Sequence, residues 1–136
     1  MIELTLDMAE RAAKAALAKA KELGTVMTAS VVDESGRTVL IMRGDGANFF
    51  SPETSRRKAV AAANFRKPTK DLGEQAVKGS AFWAAVPAAL AGEILPSIGA
   101  VPIIKAGRVI GAIGCGGGTG EQDHECAEAG AAAVGG

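Results

Sequence analysis

The sequence has no tyrosine, one tryptophan, four phenylalanines and a single histidine, His124. A core built from it has few large anchors and must close by packing backbones near one another. Only two cysteines are present, Cys115 and Cys126. They lack metal-ligand spacing and need not pair, so the expectation is reduced thiols, no metal site and a cytoplasmic setting. Net charge is also missing: 15 basic side chains balance 15 acidic ones. A phosphate-binding face needs a basic excess or stripe, so no nucleic acid partner is expected. The one basic cluster, Arg56-Arg57-Lys58, is too short to alter that. No uncharged apolar run reaches the roughly 18 residues of a membrane span, so no membrane partner is expected. The start, MIELTLDMAE, has no basic stretch followed by an apolar one, so no secretion signal is expected either.

What fills the chain is small. Of 136 residues, 28 are alanine and 18 are glycine. The length suits a single domain over residues 1–136, and about two-thirds of the unfolded surface can be buried without a staple. The few aromatics, Phe49, Phe50, Phe82 and Trp83, lie near predicted loops. Together with the small-residue core, they point to a homo-oligomer whose subunits complete each other's apolar surface.

Residues 6–23 read as a helix: Leu6, Ala9, Ala13, Ala16, Leu17, Ala20 and Leu23 recur at helical spacing, Thr5 can cap the start and Gly24 the end. Residues 26–33 and 37–43 read as a hairpin around Asp33-Glu34-Ser35-Gly36. Ser51-Pro52-Glu53 reads as a helix start, with Ser51 as the cap and the helix running to about Asn64. Thr69 can cap a short helix through Gln75. Residues 80–100 are the least readable, with a short helix disturbed by Pro87 and room for one strand. Residues 101–105 and 108–115 form a second hairpin, and Thr119 with Gln122 makes a capping box for a last helix toward Val134. Tight hairpins make an antiparallel sheet, here with helices packed on it.

Chemistry has two places to sit. The run GCGGGTGEQD joins the last strand to the last helix. Loop amides of Gly116, Gly117 and Gly118 at a helix start can hold an anion. The run matches neither a dinucleotide fingerprint nor a phosphate loop, and Glu121 and Asp123 oppose a phosphate. A sharp turn packed on a neighbouring chain explains it equally well. Cys115, beside the loop, is either a thiol activated by the helix start or a buried inert one. His124 is either a ligand or general base, or a solvated residue of the first helical turn. The second place is the loop after the first hairpin, where Arg43, Asp45, Glu53, Arg56 and Lys58 gather. Such a group can bind a small organic acid, or simply form surface ion pairs. Both loops leave strand ends and enter helices, so a shared pocket between residues 43–53 and 115–119 is expected if the sheet joins those ends.

Several segments resemble one family in order and spacing. They are LTLDMAERAAKAALAKAKELG, SVVDESGRTVLIMRGDGA, SPETSRRKAVAAANFRKPT and VPIIKAGRVIGAIGCGGGTGEQDHECAEAG. They look like the GlcG/HbpS-like domains, a haem-binding or haem-degrading group that also forms the C-terminal part of PduO-type proteins. The resemblance implies a profilin-like layered α/β fold, an α+β arrangement with a five-stranded antiparallel sheet flanked by helices. It also implies a homo-oligomer with a small-molecule ligand, haem or another tetrapyrrole among the candidates. An N-terminal histidine that ligates haem in some relatives has no counterpart here.

Two functions follow. The first is an oligomeric binding domain for haem or another small ligand, held by Arg43, Arg56, Cys115 and Gly116–Gly118. The second is a cofactor-independent lyase, isomerase or dehydrochlorinase acting on an organic acid or activated ring, with His124, Glu53 and Asp45 as proton-transfer groups.

Overall fold

The computed structural model describes residues 3–136. The first helix, α1, spans Leu6–Glu22, and Thr5 caps it by accepting from the Met8 amide. Strands β1 (Thr28–Asp33) and β2 (Thr38–Arg43) form the first hairpin. Helices α2 (Ser51–Phe65), α3 (Thr69–Lys78) and α4 (Ala81–Ala89) follow. Strands β3 (Ala100–Lys105) and β4 (Arg108–Gly116) form the second hairpin, and α5 (Gly120–Val134) ends the fold. The sheet is antiparallel with order β2-β1-β4-β3.

The expectation of five strands is corrected to four among the described residues. The segment with room for a further strand holds a helix over 81–89 and turns and irregular chain after it. Ser80 accepts from the Trp83 amide and starts α4, which runs through Pro87. The sheet ends at β3, an edge strand, where Pro102 is tolerated because the outer side of an edge needs no ladder donor.

Two capping expectations are also corrected. Ser51 and Thr69 lie inside their helices, and Phe50 and Pro68 hold the cap positions without side-chain caps. Both hydroxyls are buried and serve tertiary contacts. Ser51 shares a 2.7 Å hydrogen bond with Thr28, and Thr69 accepts from the Ala100 amide at 2.9 Å.

The two faces of the sheet bury different partners. On one face Ala29, Val31, Val101, Ile103, Ile113 and Cys115 pack against the alanine stripe of α1 and against Cys126 and Ala127 of α5. On the other, Val32, Ala100 and Ala112 meet Ala59, Val60, Ala62 and Ala63 of α2. Strand residues alternate between faces, so β1 is buried on both sides. The polar members of its α2 face are Thr28 and Ser30; Ser30 shares a 2.7 Å hydrogen bond with Ser55.

The α2 face closes because β4 carries glycine there. A Cβ on Gly114 would collide with the Ser55 carbonyl and lie 2.9 Å from the Ala59 amide nitrogen. Helix backbone thus rests directly on strand backbone, which explains how a core with so few large side chains fills its volume. No helix among the described residues is long and apolar enough to cross a membrane.

Gly114→Val should force α2 off the sheet. The expected loss is about 3 kcal/mol, at the upper end for overpacking because backbone must move. Urea unfolding checks it; an unchanged midpoint would contradict this packing.

Candidate functional site

The sheet brings the two expected loops to one end. Thr28 pairs with Arg43 on one side and Gly116 on the other. Those two residues are therefore two strand spacings apart, about 10 Å. The space between them is filled. Gly44 donates to the Met27 carbonyl at 3.0 Å, a Cβ on Gly117 would lie 2.9 Å from the Val26 carbonyl, and Met27 is fully buried.

Most charged residues of the first loop and of the α2 start are already engaged. The Arg43 guanidinium donates to the Ala47 carbonyl and closes its own loop. Glu53 accepts from Arg56 and Arg57, each at 3.1 Å. Arg56 also reaches Glu93 at 2.9 Å, and Arg57 donates to the Gly92 carbonyl at 2.7 Å. Arg56 holds the Glu53 carboxyl below its ordinary range, so Glu53 is a poor proton acceptor near neutrality. Asp45 is exposed, on the rim of a hollow lined by Leu17, Val26 and Met27. His124 places its Nε2 3.5 Å from a Glu128 oxygen, while its Nδ1 is buried without a hydrogen-bond partner. Glu53, Asp45 and His124 thus lie in three different surroundings.

The glycine loop is equally engaged. Burial in the core pushes the Cys115 thiol well above its ordinary value, so it is protonated and points away from solvent. Cys126 is likewise pushed up to about 11 by burial. The Gly118 amide donates to Asp123 at 2.9 Å, and the Thr119 amide to Gln122 at 2.9 Å. The α5 start therefore has an anion of its own, the Asp123 carboxylate.

Asp123 also receives Lys58. The ammonium lies 3.1 Å from Asp123 Oδ2 and 3.2 Å from the Cys115 carbonyl. The two side chains are 9% and 5% exposed, which makes this a buried ion pair joining α2, β4 and α5. Gly99 lies over it with φ +134°, and a Cβ there would sit 2.8 Å from the ammonium. Burial nevertheless raises the Asp123 carboxyl above its ordinary value, with Lys58 and the Gly118 amide pulling it back down. The sequence reading placed Lys58 in the loop cluster and missed the pair. A signal was present: Ser51, Ser55, Lys58, Ala59 and Ala62 share one stripe of α2, and a lysine in a sheet-facing stripe requires an anion.

A roomier concavity than the hollow beside Asp45 lies elsewhere. A groove of about 760 Å³ runs between α3 and the segment Pro96–Ile98. Gly73 and Val77 lie on its α3 side, flanked by Lys70, Glu74 and Lys78. Pro96 and Ile98 form the far wall, and Glu121 of α5 closes one end. A Cβ on Gly73 would lie 3.2 Å from the Pro96 carbonyl, so the two sides come close at the floor. Nothing in the helical pattern of α3 revealed this groove, because its other wall is more than a helix away in the chain.

Comparison with known proteins gives the family. Residues 4–132 match the family described as "Haem degrading protein HbpS-like". The chain belongs to the HbpS-like family. It is 36% identical over 125 residues to an uncharacterised 15.0 kDa protein of Citrobacter freundii, covering 92% of this chain and 87% of that one. It is 26% identical to the corrinoid adenosyltransferase PduO of the same organism, covering 98% of this chain but 39% of PduO.

Solved structures agree. Protein ORFY of Klebsiella pneumoniae superposes with TM-score 0.88 at 32% identity, covering 96% of this chain and 89% of that one. A doubly substituted HbpS of Streptomyces reticuli superposes at 0.85 with 33% identity, covering 98% and 88%. A haem complex described as PduOC superposes at 0.87 with 27% identity, covering 96% and 94%.

Lys58→Met should leave a buried carboxylate without its cation and cost about 3–5 kcal/mol at neutral pH. Losing that cation raises the Asp123 carboxyl further. The deficit relative to the native chain should therefore shrink as pH falls and Asp123 becomes neutral, and grow as pH rises through its raised value. Denaturant midpoints of both chains across pH 4–8 check the magnitude and the sign.

Proposed function

We propose that this HbpS-like chain is a ligand-binding domain whose ligand is haem or a related tetrapyrrole. The observation that carries the reading is the likeness to a PduO C-terminal domain in complex with haem, which extends over 96% of this chain. The adenosyltransferase activity of PduO belongs to a protein of which this chain spans about two-fifths, and it forms no part of the reading.

Haem brings a flat apolar macrocycle, two carboxylates and an iron with axial positions to fill. The groove on α3 suits the first two. It has the volume of a small-ligand site, apolar walls from Val77, Pro96 and Ile98, and two lysines for carboxylates. Those residues would hold the group. The groove lining includes no histidine, methionine or cysteine. No specific contact favours the acid–base reading, since Glu53 is committed to two arginines.

Self-association belongs to the same reading. Phe49 is 89% exposed and Phe50 and Phe82 are more than half exposed, an arrangement suited to covering by another subunit.

Titration of the chain with haemin should give a saturable Soret shift, ending at one haem per chain or per pair of chains. No saturation would overturn the haem reading. Light scattering at micromolar concentration should give a mass above the 13.7 kDa of one chain. Phe49→Ser with Phe50→Ser should move that mass toward the single-chain value.

A further inference from the structure

We infer that the groove between α3 and Pro96–Ile98 recognises a flat apolar body by its carboxylates and not by any metal it carries, with Glu74 as a built-in competitor for the two lysines. This rests on the ligand-binding reading above and specifies its site.

The argument starts from the α3 sequence. Lys70, Glu74 and Lys78 are spaced four apart and share one helix face, adjacent to the stripe of Gly73 and Val77. The two lysines are eight residues apart, about 12 Å along the axis. Their flexible stems let both ammonium groups reach anions on a molecule lying in the groove. Neither lysine has an ion-pair partner among the described residues. Between them on the groove wall, Val77 is 89% exposed. With Pro96 and Ile98 opposite, this valine gives a molecule in the groove apolar surface to pack on.

Charge and apolar surface together select the occupant. A wholly apolar molecule would leave the lysines unused, and a small hydrophilic anion would leave Val77, Pro96 and Ile98 in water. A flat body with carboxylates at its edge satisfies both. Iron adds nothing to this recognition, because the groove wall offers no imidazole, thioether or thiol. Glu74 lies one helical turn from each lysine. It attracts both ammonium groups in the empty groove, and its own charge repels the incoming carboxylates. Glu121 at one end of the groove adds to that repulsion. The net effect is a site of moderate affinity whose strength depends on salt.

The test uses the full chain, haemin and metal-free protoporphyrin IX, followed by porphyrin absorbance and by quenching of Trp83, the only tryptophan. Both porphyrins should bind with dissociation constants within about threefold of each other, since no axial bond contributes. Lys70→Glu and Lys78→Glu should each weaken both about three- to tenfold at low salt, with the effect shrinking at high salt. Glu74→Gln should tighten both about two- to fivefold. Val77→Glu should weaken both at least about tenfold with an unchanged melting temperature, because an exposed valine contributes little to the fold. Haemin binding without protoporphyrin binding, or binding of either that is indifferent to the lysine reversals, would overturn the groove and leave the haem reading standing. So would loss of haemin binding in His124→Ala alone. Failure of the native chain to bind either porphyrin would overturn both.

Discussion

An ammonium withdrawn from water needs an anion and further acceptors close by. Lys58 meets that demand at the junction of three elements, with Asp123 on α5 and the Cys115 carbonyl on β4. Its geometry dictates much around it. Asp123 must also face the Gly118 amide, so the glycine loop folds back over its own helix start. Gly99 must lack a side chain, because the space a Cβ would take belongs to the ammonium. The pair tethers α2, which rests on the sheet through small residues, to the opposite layer of the fold.

That tether decides where a ligand can go. A strand-to-helix turn rich in glycine offers amides to an outside anion only while those amides are free. Here the protein supplies the anion itself, and the turn becomes a structural joint. The loop after the first hairpin is consumed in the same way by Arg43, Arg56 and Arg57. By contrast, α3 buries only Thr69 and Leu72 and leaves a face open beside the Pro96–Ile98 segment. Family membership and this open face are independent observations, and both support the proposed ligand-binding reading.

The elements with strong local signals were legible from residues alone. Thr5, the Thr119–Gln122 capping box and the two Val/Ile-rich hairpins stand as read. Ser51 and Thr69 look like caps in sequence, yet packing drew their hydroxyls to Thr28 and Ala100. A cap is worth about 1 kcal/mol, and a buried hydroxyl without a partner costs at least as much, so tertiary contacts win that competition. Residues 81–89 resisted reading because Pro87 argues against a helix while Ser80 and the alanines argue for one.

The sequence by itself determined both hairpins, the antiparallel sheet and every helix but α4, because those follow from periodicity, turn chemistry and residues close in the chain; the family was legible separately, as the resemblance of whole segments to known ones. Only the tertiary structure decided which charges are partners and which face stays open. Lys58 and Asp123 are 65 positions apart, and the two sides of the α3 groove meet only after the intervening helix has folded. Whether a lysine, a glycine amide or a valine is available to a ligand depends on what packs against it, and in this chain that neighbour is seldom its neighbour in sequence.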